Sequence, residues 1–427
     1  MSLATVFRRS LALALACAAT VSLAADWPQF RGPAGNGVAA DKQAPTAWSE
    51  TENIAWKAAL PHPGNGSPIV VDGRVLLTCA EDAEGLKRSL YCFDRQDGKQ
   101  QWVRTIDFGK AEPTHNTNPF CGGTPASDGK RVVSWFGSAG LHCYDLEGKE
   151  LWQRDLGEFK HMWGDGSSPI FYDGKVVLHS GPGKQIFVAM FDADSGSTLW
   201  QTDEPLPVPG NSDHNEKDGY LGSWATPVVA KAAGQDQIIC ALPGRVNAYD
   251  PRNGNILWSC QGLRHGGGDL AYSSPIIAGD VCFQTGGYGG PAFSVRLGGE
   301  GDVTDTQRLF RREKEPQSIG TGIVHDGLIY RPNAGPGTID CIEPATGKVL
   351  WRERATDGAF WGSMVLVGDL AYVTSQQGVT VVFRPNADKY DEVAANPLGE
   401  SCNATPAVSD GQIFIRTGKH LVCVGKQ

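Results

Sequence analysis

The phrase LHCYDLEGKELW, Leu141 to Trp152, recurs along this chain and leaves few folds open to it. It returns as LYCFDRQDGKQQW ending at Trp102, VAMFDADSGSTLW at Trp200, VNAYDPRNGNILW at Trp258 and IDCIEPATGKVLW at Trp351. In each copy a glycine stands four residues before the tryptophan: Gly98, Gly148, Gly196, Gly254 and Gly347. A repeat of this length is one supersecondary unit, which buries its apolar face only by stacking on its neighbours. Within the unit, Tyr144 and Leu146 bracket Asp145 in the alternation of a half-buried strand. Gly148 supplies the positive φ of a turn, and Glu150 to Trp152 opens the next strand. Trp152 is large enough to fill the space between neighbouring sheets. Upstream, TPASDGKRVVSWF holds a second hairpin, with Asp128-Gly129 as a two-residue turn. Four short strands per repeat make the blade of an all-β propeller.

The blades can be counted from their first strands. Ser or Thr before Pro marks six of them, at Ser67-Pro68, Thr124-Pro125, Ser168-Pro169, Thr226-Pro227, Ser274-Pro275 and Thr405-Pro406. Weaker copies start at Thr321 and Ser363, which makes an eight-bladed β-propeller. Repeats five and seven lack the Gly-x-x-x-Trp ending, and Phe310 stands where the fifth would carry its tryptophan. The last repeat stops after three strands. Asn53 to Leu60, whose Trp56 matches Trp102, Trp152, Trp200, Trp258 and Trp351, is expected to supply the fourth. A strand from the N-terminus then closes the ring and removes its open edges.

Residues 1 to 24 read as a secretory signal: Arg8 and Arg9 precede an apolar run, Leu11 to Leu23, too short to span a bilayer. Lipid anchoring at Cys17 is disfavoured by the poor cleavage box Ala14-Leu15-Ala16. Residues 25 to 427 are read as one propeller domain, periplasmic or extracellular, soluble and monomeric. Removing the two leader arginines leaves 36 basic against 47 acidic side chains, a balance of −11 that disfavours nucleic acid as a partner. Of the eleven cysteines, Cys92, Cys143 and Cys341 share one repeat position, held by Ala248 in the fourth copy. They read as compact buried hydrophobes. Cys121, Cys260 and Cys402 fall in loops and are the better disulfide candidates in an oxidising compartment, with no pairing assigned.

The unit SPIVxDGxVxxxxxxGxLYAxDxxTGxxxW resembles the pyrroloquinoline-quinone-like propeller repeat over essentially the whole chain after the leader. That repeat occurs in quinoprotein alcohol dehydrogenases and in non-enzymatic relatives such as the lipoprotein of the outer-membrane barrel assembly machinery. The opening DWPQFRGPAGNG is similar to the start of many secreted bacterial propellers of this type. The dehydrogenases carry an adjacent Cys-Cys disulfide beside the quinone, and no two cysteines are neighbours here. Their calcium-holding Glu, Asn and Asp find no matching positions.

The histidines point to one face. Each fourth strand must cross to the next blade's first strand by a loop on a common face, and His62, His115, His161, His214 and His265 fall in or at those loops. Around them stand Asn116 and Asn118, Trp163 and Asp165, and Asp213 and Asn215. Trp224 and Trp361 share one repeat position, three before the first-strand Pro or its equivalent. Polar groups beside aromatic plates around one channel mouth suit a small ligand or a peptide. The competing reading is that they cap strands and satisfy loop backbone. No catalytic residues and no metal ligands are expected, since there is no zinc spacing, nucleophile elbow or complete calcium loop. Two functions stand: a secreted non-enzymatic scaffold binding a protein, peptide or glycan without a cofactor, and an oxidoreductase holding pyrroloquinoline quinone with calcium.

Overall fold

The computed structural model describes residues 25–183, 185–204 and 221–426. The leader-like segment with Cys17 and the stretch with Asp213, His214 and Asn215 lie outside them. Eight antiparallel four-stranded blades follow one another around a ring as expected, and the fourth carries an extra short strand, Gly301–Asp302, parallel to Ile256–Gln261. Their innermost strands are Ile69–Val71, Ala126–Ser127, Ile170–Tyr172, Val228–Ala232, Ile276–Ala278, Ile323–His325, Val365–Val367 and Ala407–Ser409. In the last blade, Ile54–Ala59 pairs antiparallel with the third strand, His420–Val424, and forms the outer edge. The ring therefore closes as the truncated last repeat requires.

Tight turns join the first two strands of most blades. Asp72 and Gly73 both take positive φ (46° and 73°), as do Asp173-Gly174, Asp326-Gly327 and Asp410-Gly411. This double left-handed turn matches the twist of the strands it joins. The second blade departs from the expectation. Ser127 faces Val132, so the turn spans 128–131, and of its two central residues only Gly129 has positive φ. There the Asp128 carboxylate accepts the backbone N–H groups of Lys130 and Arg131, which stabilises the wider turn.

The spacing of glycine and tryptophan is explained across blades rather than within one. The Trp102 indole N–H donates to the Leu146 carbonyl of the next blade at 3.0 Å, and that of Trp152 donates to Ala193 at 3.0 Å. These rings lie on the next blade's turn glycine, whereas Trp351 donates to the Asn386 carbonyl of a turn without glycine and Trp258 donates to Gln237 Oε1 of its own blade. A Cβ at Gly98 would meet Trp56 at 2.6 Å, one at Gly148 would meet Trp102 at 2.7 Å, and one at Gly196 would meet Trp152 at 2.6 Å. Gly254 receives Trp200 in the same way, and Gly347 receives Phe310, so the fifth blade keeps the joint with a smaller ring. The seventh blade has Ala394 at this position, opposite Val382. Its neighbour gets its fourth strand from the N-terminus and has no third-to-fourth turn for an indole to cover.

Opposite most of the aromatics sits a compact residue on the third strand: Cys92 faces Trp102, Cys143 faces Trp152, Ala248 faces Trp258, Cys341 faces Trp351 and Cys423 faces Trp56, while Trp200 faces Met190. The ladder bulges beside each pair, bending the outer strand over the neighbouring blade. All ten described cysteines are buried free thiols. This corrects the disulfide expectation for Cys121, Cys260 and Cys402. Cys260 lies in a strand, Ile256–Gln261, and Cys402 packs in the core with its thiol on the Arg416 carbonyl. Burial pushes both thiols up to about 12, so they remain protonated and unreactive.

Candidate functional site

The Ser/Thr residues that mark the first strands do more than start them. The Ser67 N–H donates to Thr124 Oγ1, Thr124 N–H to Ser168 Oγ, Ser168 N–H to Thr226 Oγ1 and Thr226 N–H to Ser274 Oγ. The chain of bonds continues through Thr321, Ser363 and Thr405 back to Ser67, with every bond between 2.9 and 3.2 Å. Ser and Thr alternate strictly around this closed hoop, one per blade. Backbone N–H groups on an inner strand edge would otherwise lack partners. Each hydroxyl satisfies one and still carries a proton to donate. Ser168→Ala should orphan the buried Thr124 N–H and cost about 1–3 kcal/mol in a denaturant titration. Ser168→Thr keeps the hydroxyl and should cost less; equal losses in both variants would remove the hoop from the account.

Two residues before the hoop, every blade contributes to a second layer of the channel wall: Asn65, Gly122, Gly166, Trp224, Tyr272, Ile319, Trp361 and Asn403. The intervening residues are all small, being Gly66, Gly123, Ser167, Ala225, Ser273, Gly320, Gly362 and Ala404. They leave room where the inner strands crowd together. Above this layer, the inter-blade loops add His115, Thr117, Asn118, Trp163 and Gln317, and the loop between the second and third strands of the fifth blade adds Tyr288. Together these residues enclose about 380 Å³.

The two sides of the channel differ chemically. On one side the rings of Trp163, Trp224, Tyr272 and Tyr288 form a continuous wall. Trp163 lies 6.0 Å from Trp224 and 5.3 Å from Tyr288, and Trp224 lies 5.4 Å from Tyr272. Two loop segments hold this wall, because Leu221–Ser223 and Asp269–Ala271 pair in parallel just before Trp224 and Tyr272. The Trp224 indole N–H also donates to the Gly164 carbonyl at 2.9 Å. On the other side is an amide chain. Asn403 Nδ2 donates to Asn65 Oδ1 at 3.2 Å, and Asn65 Nδ2 donates to Asn118 Oδ1 at 2.9 Å. Among the described residues, no Lys, Arg, Asp or Glu lines the channel, and no cluster of three His, Cys, Asp or Glu is placed to hold a metal.

The far end is closed by residues 27–39. Trp27 exchanges both backbone hydrogen bonds with Val70, the Pro28 carbonyl accepts the Ser127 N–H, and Gln29 Oε1 accepts the Phe171 N–H. These partners lie three residues past the hoop, on the side away from the loops. Arg31 then crosses to the sixth blade, donating to the Thr321 and Gly322 carbonyls at 2.8 and 2.6 Å. Burial lowers its guanidinium to about 9. Gly37 and Ala39 pair with Leu366 in the seventh blade. Phe30, between these anchors, lines the floor of the channel. The pocket has one mouth, on the loop face.

With this geometry established, comparison with known proteins supplies the lineage. A family profile described as outer membrane protein assembly factor BamB matches residues 37–107 and 87–353. The chain belongs to this family of pyrroloquinoline-quinone-type propellers. A curated relative, the quinohemoprotein alcohol dehydrogenase ADH IIB of Pseudomonas putida, is 25% identical over 48% of the chain. That match spans only 31% of the relative's length. Solved structures of the same fold include a europium-containing methanol dehydrogenase, 12% identical at a TM-score of 0.67 over 94% of this chain and 89% of that one. BamB from Moraxella catarrhalis is 16% identical at a TM-score of 0.57, over 87% and 97%. At such identities the structural likeness establishes the fold.

The sequence-predicted residues divide into two groups. His115, Trp163, Trp224 and Trp361 line the channel. His161 lies behind the wall, 3% exposed, with its ring 5.0 Å from Trp224 and its Nδ1 accepting the Trp163 N–H. His265 supports its own loop, with Nδ1 accepting the Gly267 N–H and Nε2 on the Gly287 carbonyl. The His62 backbone carbonyl accepts from Arg416, and its ring does not line the channel. Asn116 is exposed at the rim, whereas Asn118 faces inward. Asp165 sits beneath the loops, where burial raises its pKa and Arg88 offsets part of the rise. His214 is outside the described residues. Histidine alone is a poor guide, because loops use imidazoles to cap their own backbone. The Asn65, Tyr272 and Asn403 positions share the offset that marks Trp224 and Trp361, and that offset is the signal the sequence offers for them.

Proposed function

We propose that this chain is a non-enzymatic binding propeller of the extracytoplasmic space, with the one-mouthed channel as its working site. The observation that carries the reading is a lining with no Lys, Arg, Asp or Glu among the described residues. Pyrroloquinoline quinone is a tricarboxylate held with calcium, and such a group calls for cations on its carboxylates and carboxylates on its metal. The described channel residues offer amides, hydroxyls and aromatic faces, so the donor set does not fit that group. A family profile described as an assembly factor is in keeping with a protein or peptide as the partner, which would enter at the loop face.

The opposing reading rests on the dehydrogenases among the relatives. Incubating the purified protein with quinone and calcium, desalting it and supplying alcohols or sugars with a redox dye separates the two. Neither retained quinone absorbance nor dye reduction is expected. Sustained substrate-dependent dye reduction overturns the proposal.

A further inference from the structure

From the channel chemistry we infer that the ligand is the end of a neutral saccharide; this rests on the binding reading above. The choice turns on what each surface of the channel can satisfy. A pyranose ring has an apolar face of C–H groups and a rim of hydroxyls that both donate and accept. The wall of Trp163, Trp224, Tyr272 and Tyr288, with Trp361 further round the ring, offers the π-faces that C–H groups pack against. The amides of Asn65 and Asn403 stand on the opposite side; their N–H groups are taken up by Thr117 O, Asn118 Oδ1 and Asn65 Oδ1, so each offers a ligand hydroxyl the remaining lone pair of its Oδ1.

Below them lies the hydroxyl hoop. Each of its oxygens already accepts one backbone N–H, and no acceptor for the hydroxyl protons is found among the described residues. The hoop therefore presents a circle of O–H donors, each with a spare lone pair, to whatever descends to that depth. A ligand bearing hydroxyls around its circumference matches that circle, and a single strong charge does not.

Charge narrows the class further. An anionic sugar would descend among aromatic faces with no Lys or Arg beside it among the described residues, which costs desolvation without a compensating pair. A quaternary ammonium would suit an aromatic cage. Here, however, four of the rings meet one another tilted or edge to face in one wall, and the remaining arc mixes amides and hydroxyls with Trp361 and Ile319 rather than closing an aromatic cage. The enclosed volume of about 380 Å³ falls at the low end of small-molecule sites, roughly 300–1,000 Å³. With a single mouth and the floor at Phe30, it admits the terminus of a chain rather than a strand passing through.

The test is a titration of the full mature protein followed by tryptophan fluorescence and calorimetry. The probes are glucose, N-acetylglucosamine, cellobiose and chitobiose, alongside glucuronic acid and glycine betaine. At least one neutral sugar should bind saturably at one site per chain. Trp361→Ala and Asn403→Ala should each weaken it tenfold or more. Trp361 receives no hydrogen bond or ring contact from the described residues, so its removal should leave circular dichroism and melting unchanged. Should Asn403→Ala disturb the blade, Tyr288→Ala at the exposed mouth gives an independent aromatic variant. Binding of glucuronic acid or betaine alone, absence of any saturable neutral sugar, or sugar binding undiminished in the variants overturns the inference. A protein partner captured in the same preparation would leave the binding reading standing while the saccharide inference fails; quinone-dependent dye reduction would sink both.

Discussion

Deleting residues 25 to 60 should make the propeller aggregate. The cut removes Ile54–Ala59, the outer strand of the last blade, and leaves the edge of His420–Val424 with unpaired N–H and C=O groups. Such an edge is a template for pairing with another chain. The same cut takes Trp56 off Gly98, so the joint between the last blade and the first opens as the edge is exposed. It also strips the inner edges of the blades that Trp27, Pro28, Gln29, Arg31, Gly37 and Ala39 now cover. Size exclusion with light scattering reads the outcome. Deleting residues 25 to 45 alone isolates the second effect, because the ring then keeps its closing strand and should not aggregate, although the channel floor is open. If the longer truncation keeps the parent's size and melts at the parent temperature, ring closure is not what holds this fold together.

Much of this architecture is legible in the sequence, because a propeller repeats its constraints. The Gly-x-x-x-Trp spacing fixes the turn and the joint together. The missing fourth strand of the last repeat predicts the role of Asn53 to Leu60, and Phe310 reads correctly as a substitute. What stays hidden depends on relations between blades. Gly148 looks like a turn residue in its own repeat, and its contact with Trp102 of the preceding blade appears only when the sheets are stacked. The serines and threonines read as strand markers, since nothing in a single repeat says that a hydroxyl serves its neighbour's N–H. Cys260 reads as a loop residue, yet its strand runs three residues past Trp258, to Gln261. DWPQFRGPAGNG carries no periodicity at all, and its role as the channel floor comes from pairing with inner strands far along the chain.

The channel is half legible for a similar reason. Trp224 and Trp361 stand out by sharing an offset, yet the same offset in other blades holds Asn65, Tyr272 and Asn403, residues too unlike each other to align by type. Variation at a structurally fixed position is what a binding surface built on a repeat scaffold should show. The scaffold fixes where each side chain enters, and the identity of that side chain is free to follow the ligand.

Trp152→Ala should cost about 3–5 kcal/mol, the range for removing a large buried ring from a core. The indole is 8% exposed, packs between the second and third blades, and donates its N–H to the Ala193 carbonyl, which the substitution leaves unsatisfied. The partner glycine turns this into a sharper test. Gly196 holds φ at 68°, and a Cβ there would sit 2.6 Å from Trp152 Cδ2 and Cε3. Gly196→Ala should therefore destabilise twice over, by left-handed strain and by collision with the ring. The collision exists only while the indole is present. In the double variant that part of the cost disappears, so the combined loss in a denaturant titration should be smaller than the sum of the single losses, with the coupling inside the roughly 0.5–3 kcal/mol typical of touching residues. Strict additivity would mean that ring and turn do not meet, and the tryptophans would then need another explanation than the joint between blades.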